Sequence, residues 1–146
     1  MSAEDVELVR ALQPAPGFDV AAALADEAST ARWLAEVESY CDPAVRGTMR
    51  FRGMSAVTYA GGLEGLAEAW RDWLRSWSSY CFEMEDVLDG GDRVVVVKLG
   101  RGRPRPGAPE TVLRRASIWT VRDGLITQVD FNVPYGEAMS TVGLAA

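Results

Sequence analysis

The stretch from Leu113 to Val133 constrains this chain more than any other. It reads L-R-R-A-S-I-W-T-V-R, then Asp123-Gly124, then L-I-T-Q-V-D-F-N-V. Asp-Gly between two runs rich in β-branched and aromatic residues is a short-range hairpin signal. Both arms are long for strands, so a sheet is expected to be built on them. The facing of the second arm depends on the turn. A two-residue turn at Asp123-Gly124 sets Ser117 opposite Asp130. A three-residue turn, with Gly124 left-handed as a bulge, sets Ser117 opposite Val129. The change is a single residue, yet it decides which set joins Ser117 and Trp119 on one face: Asp130 and Asn132, or Val129, Phe131 and Val133.

A chain of 146 residues suits a single domain spanning residues 1–146 and can bury a real core. The net charge of −6 argues against nucleic-acid and anionic-membrane partners. No apolar run approaches a membrane span, and the start S-A-E-D is unlike a signal segment, so a cytoplasmic location is expected. The two cysteines, Cys41 and Cys81, stand in no metal-type spacing and read as reduced thiols. Histidine is absent, which removes the commonest general base and metal ligand.

Ser2 to Asp5 forms a capping-box pattern, followed by Val6, Val9 and Leu12 at helical spacing. Pro14 and Pro16 keep that helix short. Asp19 is a cap for a second short helix, and Ser29 or Thr30 for a third that carries Trp33, Val37 and Tyr40 on one face. Asp42-Pro43 is expected to end it. Val45 to Arg52 alternates as a half-buried strand, with arginines on the outer face. Val57 and Tyr59 follow in a loop or short strand, and Gly61-Gly62 breaks the chain. Leu63, Leu66, Trp70, Trp73 and Trp77 then mark the clearest amphipathic helix, whose tryptophan stripe is expected to pack under a sheet. Glu68–Arg71 and Asp72–Arg75 are candidate ion pairs along it. Strands are predicted over Phe82–Leu88 and Arg93–Arg103. The second lies centrally, because Val94 to Val97 is apolar on both faces. A stiff loop rich in proline and arginine reaches Pro109, and Pro134 closes the last strand before a final helical turn or two.

Helices first and an antiparallel meander after them make an α+β pattern. A curved, mostly antiparallel sheet wrapped over the N-terminal helices and one long helix leaves a cone with an apolar pocket at its open end. Four strings, Tyr59-Ala-Gly-Gly-Leu-Glu-Gly65, Trp70-Arg-Asp-Trp-Leu74, Asp89-Gly-Gly-Asp-Arg-Val-Val-Val96 and Ile118-Trp-Thr-Val-Arg-Asp-Gly-Leu-Ile126, occur in an order and spacing that resembles the SnoaL-like branch of the nuclear transport factor two-like superfamily. The resemblance covers Val45 to Leu144 well and the N-terminal helices loosely. The Pro14–Gly17 stretch departs from the family's usual longer first helix. The resemblance implies a cone-shaped α+β barrel, often dimeric, in a family that holds isomerases, dehydratases, epoxide hydrolases, polyketide cyclases and non-catalytic binding domains. The fold therefore does not choose the function.

Position by position, the resemblance implies little acid–base equipment. Ser117 stands where related cyclases place a histidine and steroid isomerases an acid. Phe131 stands about where cyclases carry an aspartate. The segment G-M-S-A-V-T-Y, where steroid isomerases carry their general base, has no carboxylate. The family pattern favours the three-residue turn, with Arg115, Ser117, Trp119, Val129, Phe131 and Val133 toward the cavity. Polarity favours the two-residue turn, which would pair Ser117 with Asp130. The expected lining is Trp33, Tyr40, Tyr59, Trp70, Trp119 and Phe131, with Arg115 and Ser117 to orient an apolar or aromatic small molecule. A cofactor-independent isomerase, dehydratase or cyclase would have to use Asp130 or Asp42 as its acid or base. No metal or organic cofactor is expected: ligand spacings are lacking, and Gly61-Gly62 has neither the length nor the lysine of a phosphate loop. Ala116 and Ile118, on the face opposite Ser117 and Trp119, predict a homodimer through the open face of the sheet.

Overall fold

The computed structural model describes residues 2–51 and 53–144. In chain order the elements are α1 (Ser2–Ala11), α2 (Val20–Ala23), α3 (Glu27–Val37), β1 (Cys41–Arg50), β2 (Ala56–Tyr59), α4 (Leu63–Leu74), β3 (Ser79–Asp89), β4 (Arg93–Arg103), β5 (Thr111–Arg122), β6 (Leu125–Pro134) and α5 (Tyr135–Thr141). The Ser2 side chain of the expected capping box, and Arg52 of the arginine face, lie outside the described residues. None of the described helices is long and apolar enough to cross a membrane.

Helices α2 and α3 start on aspartates. Asp19 caps α2 by accepting from Ala22 N–H, as the sequence predicts. Asp26, and not Ser29 or Thr30, caps α3. Its carboxylate accepts from Ser29 N–H at 2.7 Å, the reach of an N-cap side chain to the third helical residue, so Ser29 and Thr30 fall inside the first turn. A single 3-10 turn, Glu38–Tyr40, follows α3, and β1 begins at once. Asp42-Pro43 thus lies within a strand. The extended backbone that a residue before proline prefers suits a strand as well as a helix end. Pro43 has no N–H to give, and the pairing of β1 with β6 is irregular between Cys41 and Arg46.

The six strands form one sheet in the order β2-β1-β6-β5-β4-β3. Only β1 and β6 run parallel. The sheet curves into a cone around α4. Leu66, Trp70 and Trp73 of α4 are buried in the main core with Val45 and Met49 of β1, Tyr80 and Phe82 of β3, and Phe131 of β6. Gly47 permits the approach of α4, since a Cβ there would stand 2.5 Å from Leu66 Cδ2. The helix stops at Leu74, so Trp77 leaves the stripe and packs from the following turn against Trp73 and Tyr80. Asp72 pairs with Arg75, whereas Arg71 reaches back to Glu64 instead of Glu68.

The hairpin combines features of both expected turns. Arg122 pairs with Leu125, and Asp123 and Gly124 have φ of 52° and 78°, so the connection is the two-residue, doubly left-handed turn. A bulge then intervenes between Val121↔Ile126 and Thr120↔Gln128. It shifts the register by one residue, sets Trp119 opposite Val129 and Ile118 opposite Asp130, and sends Val129 and Phe131 to the concave core. A second irregularity lies between Ile118↔Asp130 and Ala116↔Val133, where Asn132 takes a φ of 62°. It returns Val133 to the convex face, against the expectation that it would enter the cavity.

That convex face is not open. Val95, Val97, Ala116, Ile118 and Val133 form a second cluster under Ala138 and Met139 of α5. Ala116 and Ile118 are buried within one chain. The apolar strip from which a homodimer was inferred is therefore covered by the protein's own C-terminal helix.

Candidate functional site

The open end of the cone holds a cavity of about 460 Å³. Its walls come from nearly every inward-facing element: the end of α1, α2, α3, α4, and strands β1, β3, β4, β5 and β6. Because α1 ends early, the segment from Leu12 to Phe18 contributes to the lining. Phe18 and Tyr40 are both lining residues and more than two-fifths exposed, which gives the mouth an apolar rim.

Six of the eight expected lining residues are brought together here: Trp33, Tyr40, Trp70, Ser117, Trp119 and Phe131. Trp70 stacks on Phe82 at a 5.9 Å centroid distance and meets Phe131 edge-on at 5.3 Å. Trp119 in turn sits edge-on to Phe131. Interlocking rings of this kind hold one another's rotamers, so the wall is pre-formed. The Trp119 indole N–H donates to Ser117 Oγ at 2.8 Å. That bond leaves the Ser117 hydroxyl hydrogen without a protein acceptor among the described residues.

The other two lie elsewhere. Tyr59 is buried between β1 and α4, and its O–H donates to Asp72 at 2.7 Å. Burial, and then the Asp72 carboxylate, hold its phenol well above the ordinary range. Arg115 lines a separate cleft with Arg50, Phe51 and Pro134. Neither candidate carboxylate reaches the cavity. Asp130 shares the convex side with Ile118, where Thr48 Oγ1 and Gln128 Nε2 donate to it. Asp42 accepts from Ala44 N–H in a local turn. Neither therefore stands where it could exchange a proton with a molecule held in this cavity.

The residue that sequence reasoning missed is Lys98. It lines the cavity from β4 and is only 3% exposed. Its Nζ lies 4.3 Å from the Phe82 ring centroid and 4.9 Å from that of Trp70. No hydrogen bond or ion pair engages it among the described residues. Burial alone pushes its amine down, to about 7, because the charged form loses its hydration. The two π faces act the other way and favour the ammonium. Two signals were present in the sequence. Lys98 is the chain's single lysine among fifteen basic residues, and it continues the Val94, Val96 alternation onto a buried face. Cys41 also lines the cavity, but burial raises its thiol to about 11, so it is a poor nucleophile near neutrality. Among the described residues no group of three or more histidine, cysteine or acidic side chains is placed to hold a metal ion.

Cone, helical plug and mouth are those of a known domain type. The family model of the SnoaL-like domain matches residues 3–129, and the chain belongs to that family. Among solved structures it is similar to a nuclear transport factor two-like protein of unknown function from Burkholderia pseudomallei K96243, with 17% identity and a TM-score of 0.63 over 95% of this chain and 97% of that one. It is similar to TerC, solved co-crystallised with polyporic acid, with 18% identity and a TM-score of 0.62 over 95% and 97%. A candidate SnoaL-like polyketide cyclase from Jannaschia sp. CCS1 matches at 18% identity and a TM-score of 0.62 over 88% and 84%. At such identities the likeness concerns the fold. No curated protein matches the chain by sequence.

Proposed function

We propose that this protein binds an apolar or aromatic small molecule in the cavity at the open end of its cone. The observation that carries the reading is the wall formed by Trp70, Phe82, Trp119 and Phe131 around a cavity of about 460 Å³, with a few polar groups converging on it. Such a lining supplies burial to drive binding and hydrogen-bonding groups to orient a ligand. The co-crystallisation of the similar TerC with polyporic acid agrees with a pocket of this type. Trp70 and Trp119 lie in the wall, so their fluorescence is a direct probe. Titration with a set of bicyclic and tricyclic aromatics should quench it saturably. If none of them changes the emission or the melting temperature at millimolar concentration, the binding reading fails.

A second reading, cofactor-independent acid–base catalysis, is supported by one specific observation. Lys98 places an amine with no protein partner among the described residues inside the apolar cavity, where burial pushes it down toward the neutral state a general base requires. In that reading the base is Lys98 and not Asp130 or Asp42. A screen of ketones, enones and epoxides tests it. Turnover by the wild type that Lys98→Met abolishes, with ligand binding kept, establishes catalysis; loss of turnover on Asp130→Asn instead would remove Lys98 from the role.

A further inference from the structure

The cavity presents two donors, Lys98 and Ser117, without protein acceptors among the described residues. Lys98 and Ser117 project from neighbouring strands onto the same concave side. Ser117 pairs with Val96, so it stands one step diagonal to Lys98. Both are almost fully buried, and both line the cavity. The lysine ammonium has three N–H groups and no protein acceptor among the described residues. The serine oxygen already accepts from Trp119, which leaves it its own O–H to give. Lys98 Nζ is not among the fully enclosed atoms left without a partner, so its polar end opens onto the cavity, where a ligand can take its hydrogen bonds. Apolar burial alone would be better served by methionine or leucine at position 98.

The chain commits its single lysine to this position, while its other basic residues are arginines. A lysine places a compact point charge at the end of a flexible stem, which suits one ionised oxygen. The charged and titratable groups around it do not supply that oxygen. From β5, Arg115 is its register partner and is another cation. From β3, Tyr80 is buried on the concave side, with its phenol pushed up to about 12 by burial. From β1, Cys41 is a protonated thiol. From α3 and the turn after it, Glu36 and Tyr40 stand exposed at the mouth. No cavity residue of α4 or β6 carries a titratable group among those described.

We infer that the ligand of this cavity is a planar aromatic compound bearing one ionised oxygen, a carboxylate or an acidic enol or phenol, which sits on Lys98 Nζ and the Ser117 hydroxyl while its rings lie against Trp119, Trp70 and Phe131. The inference rests on the binding reading above and adds the charge of the ligand. It carries a pH signature. Above about 7 the free amine is neutral, so an anion must draw a proton onto Lys98 as it binds. Affinity for the anion should then fall by up to about tenfold per pH unit, while affinity for a neutral isostere stays flat.

The test uses 2-naphthoate and the neutral 2-naphthamide on the whole protein, labelled with carbon-13 lysine. A single lysine gives a single Cε resonance. The expected result is that naphthoate binds at least about tenfold tighter than naphthamide at about pH 6, moves the Lys98 resonance, raises its titration midpoint, and takes up a proton at about pH 8. Lys98→Met should lose the preference and still bind naphthamide. The wild-type titration and calorimetric proton uptake stand by themselves if that variant folds poorly. Equal binding of both probes with no change in the Lys98 midpoint overturns the inference and leaves the binding reading in place. A preference for naphthoate that persists in Lys98→Met also overturns it. Binding of neither probe removes the reading and the inference together.

Discussion

Replacing Lys98 by methionine should make the protein more stable, and by an amount that depends on pH. The ordinary lysine value of 10.5 falls to about 7 in the folded protein through burial. At about 1.4 kcal/mol per pH unit, that difference is a cost on the order of 4–5 kcal/mol for keeping the charge. The two π faces return part of it, roughly 0.5–2 kcal/mol each. Methionine keeps the length of the stem without the charge, so a net gain of up to about 4 kcal/mol, on the order of 2 at mid-range, is expected. Below about pH 7 both folded and unfolded chains carry the ammonium, and the folded one bears the full cost. Between about 7 and 10.5 the unfolded chain holds a proton that the folded one has shed, so wild-type stability rises with pH relative to the variant. The advantage of Lys98→Met is therefore full below about 7, shrinks across that window, and ends near the small cost of a buried neutral amine. Urea denaturation of both proteins at about pH 6, 8 and 10 measures it. A gap that does not change with pH, or a variant less stable by several kcal/mol at every pH, would show that an acceptor already partners the lysine in solution.

Other expectations follow from the packing. Trp73 is 4% exposed and touches Phe51, Trp77 and Tyr80, so Trp73→Ala should cost roughly 3–5 kcal/mol and lower the thermal midpoint by ~10 °C; a melt close to wild type would contradict its placement. Asp130→Asn removes the charge from a convex-face acceptor bonded to Thr48 and Gln128, with an expected loss of about 1 kcal/mol and no change in ligand affinity; loss of binding in a folded variant would put that carboxylate in the site. Ending the chain before Tyr135 uncovers Val95, Val97, Ala116, Ile118 and Val133, so sedimentation should show more self-association than the full chain does. An unchanged sedimentation coefficient per chain would mean that α5 is not the cover.

Much of the fold was legible because local periodicity and tertiary role agree. The span of β4 and the Asp19 cap follow from alternation and side-chain reach, and both stand where expected. The stripe of Leu66, Trp70 and Trp73 buries as a helix under a sheet must. The site was less legible. Large rings on inward faces point to Trp33, Tyr40, Trp70, Trp119 and Phe131, which line the cavity, but not to Phe82, which also lines it, while Tyr59 lies elsewhere. Lys98, at the middle of β4, escapes notice because a lysine in a strand usually reaches solvent, and only the closing of the cone around β4 leaves this one 3% exposed. Arg115 was misplaced because alternation assigns a face but not a depth along the cone.

By itself the sequence determined the order of elements, the position of the hairpin turn and the apolar character of the inner face, because each depends on neighbours within a few residues. The register beyond the turn was decided elsewhere. Two irregularities in the β5–β6 ladder send Phe131 inward and Asp130 and Val133 outward, and they arise where this hairpin must also pair with β1 and curve around α4. No local signal specifies such a bulge; it relieves the strain of bending a sheet whose other edge is fixed. The fate of the convex face was equally non-local. Ala116 and Ile118 alternate as exposed apolar residues would, and only the return of α5 across the sheet makes them core. The charge state of Lys98 lies furthest from the sequence, since it depends on how completely distant strands and helices exclude water from one amine.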